Sequence, residues 1–131
     1  MSDVKSVIES GRAVLGIEFG STRIKAVLIG EDHAPIATGA HDWENMLVDG
    51  IWTYSLDMIW EGISDCYSKM AQDAKEKYGV TIKKLAAIGI SGMMHGYLAF
   101  DRDGNQLVPF RTWRNTITDR AADLLTKQFF V

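Results

Sequence analysis

Three short stretches of this chain gather residue types that can do chemistry. The first, LGIEFGSTRIKAVLIG from Leu15 to Gly30, sets a Gly-Ser-Thr turn between two apolar runs. Glu18 stands just before the turn, and Arg23 and Lys25 just after it. Consecutive backbone N–H groups in a tight turn can cradle phosphate oxygens. Gly20, Ser21 and Thr22 supply such amides, and two hydroxyls, with the Lys25 charge nearby. Glu18 could hold Mg2+ directly or through water, since that ion keeps several waters and takes few protein ligands. The same residues also make an ordinary hairpin turn with solvated charges, and spacing alone leaves both readings open. Two better-known phosphate loops are excluded. A Walker loop needs a lysine after its second glycine and then a helix, whereas Ser21 follows Gly20 and a strand-like run comes next. A dinucleotide fingerprint needs G-x-G-x-x-G opening a helix, and neither part is present.

The second stretch is ISGMMHGYLAF, where Gly92 and Gly96 bracket Met93, Met94 and His95 after an apolar run. Open α/β sheets place ligands at the C-terminal ends of strands. Met94 as a wall and His95 as a hydroxyl partner would suit a small polar pocket there; gap-filling core methionines and a satisfied buried histidine are the alternative. The third stretch is RTWRNT. Trp113 beside Arg111, Arg114 and Asn115 offers a planar stacking surface among hydrogen-bond donors, a combination suited to sugars. A capping loop with Trp113 buried fits the same letters. His33 and His41 have no metal-ligand spacing with each other or with Cys66, so no dedicated transition-metal site is expected.

The elements that must position these residues follow from periodicity. Residues 1–12 read as a short N-terminal tail or frayed helix. Val14–Ile17, Ile24–Ile29 and a weaker run in APIATGAHDW read as three short strands in an antiparallel meander. The near-continuous apolar character of the first two suggests burial on both faces. Trp43 to Tyr54 looks irregular. Then Leu56, Ile59, Trp60, Ile63, Tyr67, Met70 and Ala74 recur at three- and four-residue steps, predicting a helix with Ser55 as N-cap and Gly79 as terminator. Cys66 borders that stripe and reads as a small core residue. KKLAAIGISG reads as a buried strand, GYLAFDRDGNQLVPF as a hairpin with an Asp103-Gly104-Asn105 tip, and DRAADLLTKQFFV as a last helix. The greasy Phe129, Phe130 and Val131 are expected either to pack back on the core or to continue into a longer protein, and the second is favoured.

The bulk composition narrows the class. A length of 131 residues suits one domain with a real core. Hydrophobic content of 47% and charged content of 24% are those of a soluble globular protein. The net charge of −3 argues against a nucleic-acid binder, which usually shows a basic face. The single cysteine rules out an intramolecular disulfide, the polar N-terminus is no secretory signal, and no apolar run reaches membrane-spanning length. A cytoplasmic protein without nucleic-acid or membrane partners is expected; oligomeric state is not readable.

In order and spacing, the three stretches resemble the N-terminal domain of the FGGY carbohydrate kinases, closest to the xylulokinase branch, from about Val14 to the end. LGIEFGSTRIKAVLI looks like the family's first phosphate motif, IGISGMMHGYLAFDRDGNQLVPF is similar to its substrate-side Met-His-Gly segment, and TWRN falls where Trp-Asn-Asp is common. The resemblance implies an α/β, ribonuclease H-like (actin-like ATPase) domain over residues 13–131, with a mixed sheet opening on an antiparallel meander, flanked by helices and incomplete. It implies transfer of the γ-phosphoryl of ATP, with Mg2+, to a hydroxyl of a pentulose or related ketose or polyol. Glu18 would organise the metal, Gly20, Ser21, Thr22 and Lys25 would face the phosphate, and Met94, His95, Trp113 and Arg114 would lie at the sugar. The catalytic base, second phosphate motif and adenine pocket would lie beyond Val131, leaving the isolated chain inactive. Glu18 is one methylene longer than the usual Asp, and Arg114-Asn115 replaces the commoner Asn-Asp, so the identity of the sugar does not carry over. A non-kinase actin- or chaperone-like ATP-binding protein and a stand-alone interaction domain are the alternatives.

Overall fold

The computed structural model describes residues 3–129, which divide into two compact units. The first unit takes the chain up to Glu44 and again over Ser55–Met93. It opens on helix α1 (Val4–Glu9), where a tail or frayed helix was expected. Asp3 caps this helix, and Val7 and Ile8 are buried, so the segment contributes to the core.

Strands β1 (Val14–Phe19), β2 (Arg23–Ile29) and β3 (Pro35–Asp42) form the expected antiparallel meander. In the second unit, β4 (Met46–Val48) and β5 (Ile51–Thr53) pair antiparallel, giving order to a stretch that reads as irregular in sequence. The positive φ of Asp49 and Gly50 makes the two-residue turn between them, a conformation that Asn, Asp and Gly adopt most readily. Back in the first unit, helix α2 (Leu56–Tyr78) has the predicted caps: Ser55 Oγ accepts from Met58 N at 3.1 Å, and Gly79, at φ 68°, donates to Lys75 O at 2.8 Å. Strand β6 (Ala87–Gly92) then lies parallel to β1, completing a mixed four-stranded sheet in the order β3-β2-β1-β6.

Burial departs from expectation in three places, and each has a physical cause. Strand β2 alternates, with Ile24, Ala26 and Leu28 buried while Arg23 and Lys25 are exposed, because α2 covers only one face of the sheet. On α2, the residues that meet the sheet are Gly62, Cys66, Met70 and Ala74, and Trp60 is exposed. Small side chains on that line let the helix approach β3 closely: a Cβ on Gly39 would stand 2.2 Å from Cys66 O. Cys66 is a core residue, its Sγ 3.4 Å from Gly39 O, and burial pushes its thiol pKa up. Strand β6 is exposed throughout, although its sequence reads as buried, since α2 packs on β3 and β2 and leaves the faces of β6 uncovered among the described residues.

Helix and sheet are also joined by charge. Asp73 Oδ2 accepts from Lys77 Nζ at 2.8 Å and from the Thr38 amide of edge strand β3 at 2.9 Å. Those bonds, Lys77 first, hold its carboxyl below the usual range. Asp65 is likewise lowered by Lys69 and then His41. A carboxyl with a depressed folded-state pKa contributes stability that is complete above its unfolded value and is lost as pH falls through the folded one. Stability is therefore expected to drop on acidification below about pH 4. Asp73→Asn should flatten that acid limb, read as the urea midpoint between pH 6 and pH 3; an unchanged slope would remove Asp73 from this role.

The second unit comprises Asn45–Tyr54 and the chain from Met94 on. The expected hairpin after Gly96 is reduced to two isolated bridges, Tyr97 with Arg111 and Phe100 with Gln106. Pro109 has no N–H to give to a longer ladder. The tip keeps its turn chemistry: Asp101 Oδ1 accepts from the amides of Asp103 and Asn105, and Gly104 has φ 84°. Helix α3 (Asp119–Phe129) exposes Leu124, Leu125 and Phe129; Phe130 and Val131 lie outside the described residues.

Candidate functional site

In the first unit, the hairpin between β1 and β2 is closed by Gly20, whose N–H donates to Arg23 O at 2.9 Å. A Cβ at that position would lie 2.8 Å from the same oxygen, which is the reason for glycine. The Gly20 amide is therefore spent on the turn, and among the expected phosphate donors it supplies shape instead. Trp43 braces the turn from behind: its indole N–H donates to Gly20 O at 2.8 Å and its backbone N–H to Thr22 O at 3.1 Å. Its ring packs 6.2 Å from that of Phe19. This support escaped the sequence reading, in which Trp43 opens a stretch without periodicity. Thr22 is exposed, and neither its amide nor its hydroxyl donates to another described residue. Ser21 sits half-buried in the same turn.

Register brings the charges together. Glu18 lies directly opposite Lys25 on β2 and beside Ser91 on β6, so the three side chains share one face of the sheet. Lys25 Nζ is 3.4 Å from Glu18 Oε2, with both side chains about half exposed (51% and 54%). A pair so well solvated holds together by less than about 1 kcal/mol, so either partner can turn to a ligand. The three line an open recess of about 520 Å3 floored by Gly16, Val27 and Gly89. Ser91 is the member that the sequence reading missed; parallel pairing of β6 with β1 is what delivers it, and that pairing is non-local.

Glu18 is the one carboxylate lining this recess among the described residues, and so the residue here that could hold a magnesium ion, which binds through one or two carboxylates, waters and substrate phosphates. Among the described residues no group of three or more His, Cys, Asp and Glu is gathered as a closed metal cage.

In the second unit, the expected sugar-side residues separate. His95 and Trp113 line one recess of about 520 Å3, together with Tyr97, Arg111 and Thr112. Trp113 is 58% exposed, which disposes of the buried capping-loop alternative for that ring. His95 has φ 60°, a conformation uncommon outside glycine. Met94 is 75% exposed but does not line this recess, nor does Arg114. The Arg114 guanidinium instead lies 3.8 Å over the Trp52 ring and donates to Asn45 Oδ1 at 3.2 Å. Asn115 is committed as well: its side chain accepts from Trp52 N at 2.8 Å and donates to Trp52 O at 2.7 Å, pinning the loop to β5. Arg111 and Tyr97 line the recess, which Arg114 and Met94 do not.

Residues 13–130 match the N-terminal domain of the FGGY family of carbohydrate kinases. Similar solved structures include gluconate kinase from Lactobacillus acidophilus (TM-score 0.73, 18% identity, covering 89% of this chain and 23% of that one). Another is ligand-bound xylulose kinase from the same organism (TM-score 0.72, 18% identity, 89% and 23%). A third is Plasmodium falciparum glycerol kinase with ADP (TM-score 0.64, 15% identity, 90% and 23%). At these identities the likeness is one of fold, and the chain spans about a quarter of the length of these structures. No curated protein matches the sequence.

Proposed function

The chain belongs to the FGGY family of carbohydrate kinases, and on that premise we propose that the whole protein transfers the γ-phosphoryl of ATP to a hydroxyl of a small sugar or polyol. The first unit is the phosphate side. Its exposed turn and the open Glu18–Lys25 pair are the observation that carries this reading, since a hairpin serving only to reverse the chain needs neither an unpaired donor at Thr22 nor a braced backbone. Lys25 and the Thr22 donors would bind the transferring phosphate, and Ser21 would flank it.

Glu18 would hold Mg2+, in part through water; bound there, the ion neutralises charge on the phosphate oxygens. The second unit is the sugar side. His95 would exchange hydrogen bonds with hydroxyls, and the exposed Trp113 ring would pack against the C–H face of the sugar. Phosphoryl transfer asks a protein chiefly for positioning and charge stabilisation, which such groups provide. A base that takes the proton of the attacking hydroxyl belongs to the remainder of the protein.

The test is ADP release by the whole protein given ATP, Mg2+ and a panel of ketoses, polyols and sugar acids. The expected result is turnover that requires one of the sugars and yields its phosphate ester. ATP hydrolysis indifferent to every sugar would favour the chaperone-like alternative, in which the phosphate turn is kept and the recess near Trp113 has no sugar to hold.

A further inference from the structure

We propose that the sugar taken by the second unit is an acid, its carboxylate anchored by Arg111; the inference rests on the carbohydrate-kinase reading above. Arg111 is partly buried, and its backbone is fixed on both sides, N to Tyr97 O at 3.0 Å and O from Tyr97 N at 2.9 Å. Its guanidinium has no ion pair or hydrogen bond among the described residues. The other arginines do not share that situation. Arg12 pairs with Glu31, Arg23 with Asp42, and Arg114 lies over Trp52, while Arg102 and Arg120 are exposed to water. A partly desolvated guanidinium without an acceptor is unfavourable, and an anionic ligand relieves that.

The recess around Arg111 fits such a ligand. Its lining contains no Asp or Glu, and Arg111 is the one Arg or Lys in it among the described residues. Asn115, the most capable neutral donor there, is already occupied by Trp52 and Thr112. The planar guanidinium matches a carboxylate with two parallel N–H···O bonds, a geometry that lysine cannot copy. Trp113 lies in the same lining, giving a polyhydroxy chain an apolar wall beside the charged anchor. A polyhydroxy carboxylic acid of aldonate type satisfies all of these features, and a neutral ketose leaves Arg111 without its partner.

The experiment uses the whole protein and three probes: D-gluconate as the aldonate, D-xylulose as the neutral ketose, and a ketose monophosphate as the competing anion. Binding is measured by calorimetry without nucleotide, and kcat/KM with ATP and Mg2+. The expected result is a preference for the aldonate over the ketose of about 100-fold, the size of a lost charge-assisted hydrogen-bonded pair. Arg111→Gln should collapse that ratio, and Arg111→Lys should restore part of it by returning the charge without the fork. Aldonate binding that depends on Arg111 sustains the proposal even if turnover is slow. Preference for D-xylulose, or for the monophosphate, or an aldonate preference untouched in Arg111→Gln, would overturn it. Turnover of D-xylulose alone would overturn the acid assignment while leaving the kinase reading standing.

Discussion

Lys25→Ala in the whole protein is expected to lower kcat by about 10²- to 10³-fold, the usual cost of removing one group that stabilises transition-state charge. The KM for the sugar should change little, because Lys25 lies in the hairpin unit and the residues proposed to meet the sugar belong to the other. The folded state should barely notice the change. The partner left behind, Glu18, is about half exposed and remains solvated, so the lost pair costs less than about 1 kcal/mol. That separation of effects is what distinguishes a phosphate ligand from a surface charge. Lys25→Arg, which keeps the charge and shifts its position, should recover part of the loss.

His95 provides the opposite arm of the same experiment. His95→Asn removes the imidazole but keeps a residue that tolerates φ 60°, so any effect reports the lost ring and not a strained backbone. The expected outcome is a raised sugar KM with a smaller change in kcat. If Lys25→Ala alters only KM, or His95→Asn only kcat, the assignment of the two units to phosphate and sugar is wrong.

The second large effect concerns the fold that holds the hairpin. Gly39→Ala is expected to destabilise the protein by about 3 kcal/mol or more, at the upper end of what overpacking does. The added Cβ would stand 2.2 Å from Cys66 O and 2.5 Å from Met70 N, and both are backbone atoms of α2. A flexible side chain could move aside; a helix backbone cannot, except by lifting from β3. Lifting α2 uncovers Cys66, Met70 and Ala74, which are now at most 1% exposed. Thermal unfolding should show a fall in Tm on the order of 10 °C. Gly16→Ala is the control. Its Cβ would meet nothing closer than 3.8 Å, so its stability should stay within about 0.5 kcal/mol of the parent. Equal behaviour of the two variants would show that α2 does not sit against β3 as described.

The local signals in the sequence were sufficient for some elements and misleading for others. Ser55 and Gly79 mark the ends of α2 because capping depends on a few adjacent residues. The meander and the Gly20 turn are legible for the same reason. The face that α2 buries was harder to read, since hydrophobicity points to Trp60 whereas close approach selects Gly62 and Cys66. Apolar content in β6 likewise signals a strand but not what covers it.

Alone, then, the sequence determined the family, the order of the main elements and the residue types at the Gly20 turn, because motif spacing and short-range periodicity are properties of neighbouring letters. Only the tertiary structure decided which side chains share a site. Parallel pairing set Ser91 beside Glu18, and Trp43 came back to brace Gly20. In the other unit, Trp52 engaged Arg114 and Asn115, leaving Arg111 to face the recess. Each of these outcomes depends on contacts between residues distant along the chain, which chain order does not encode locally.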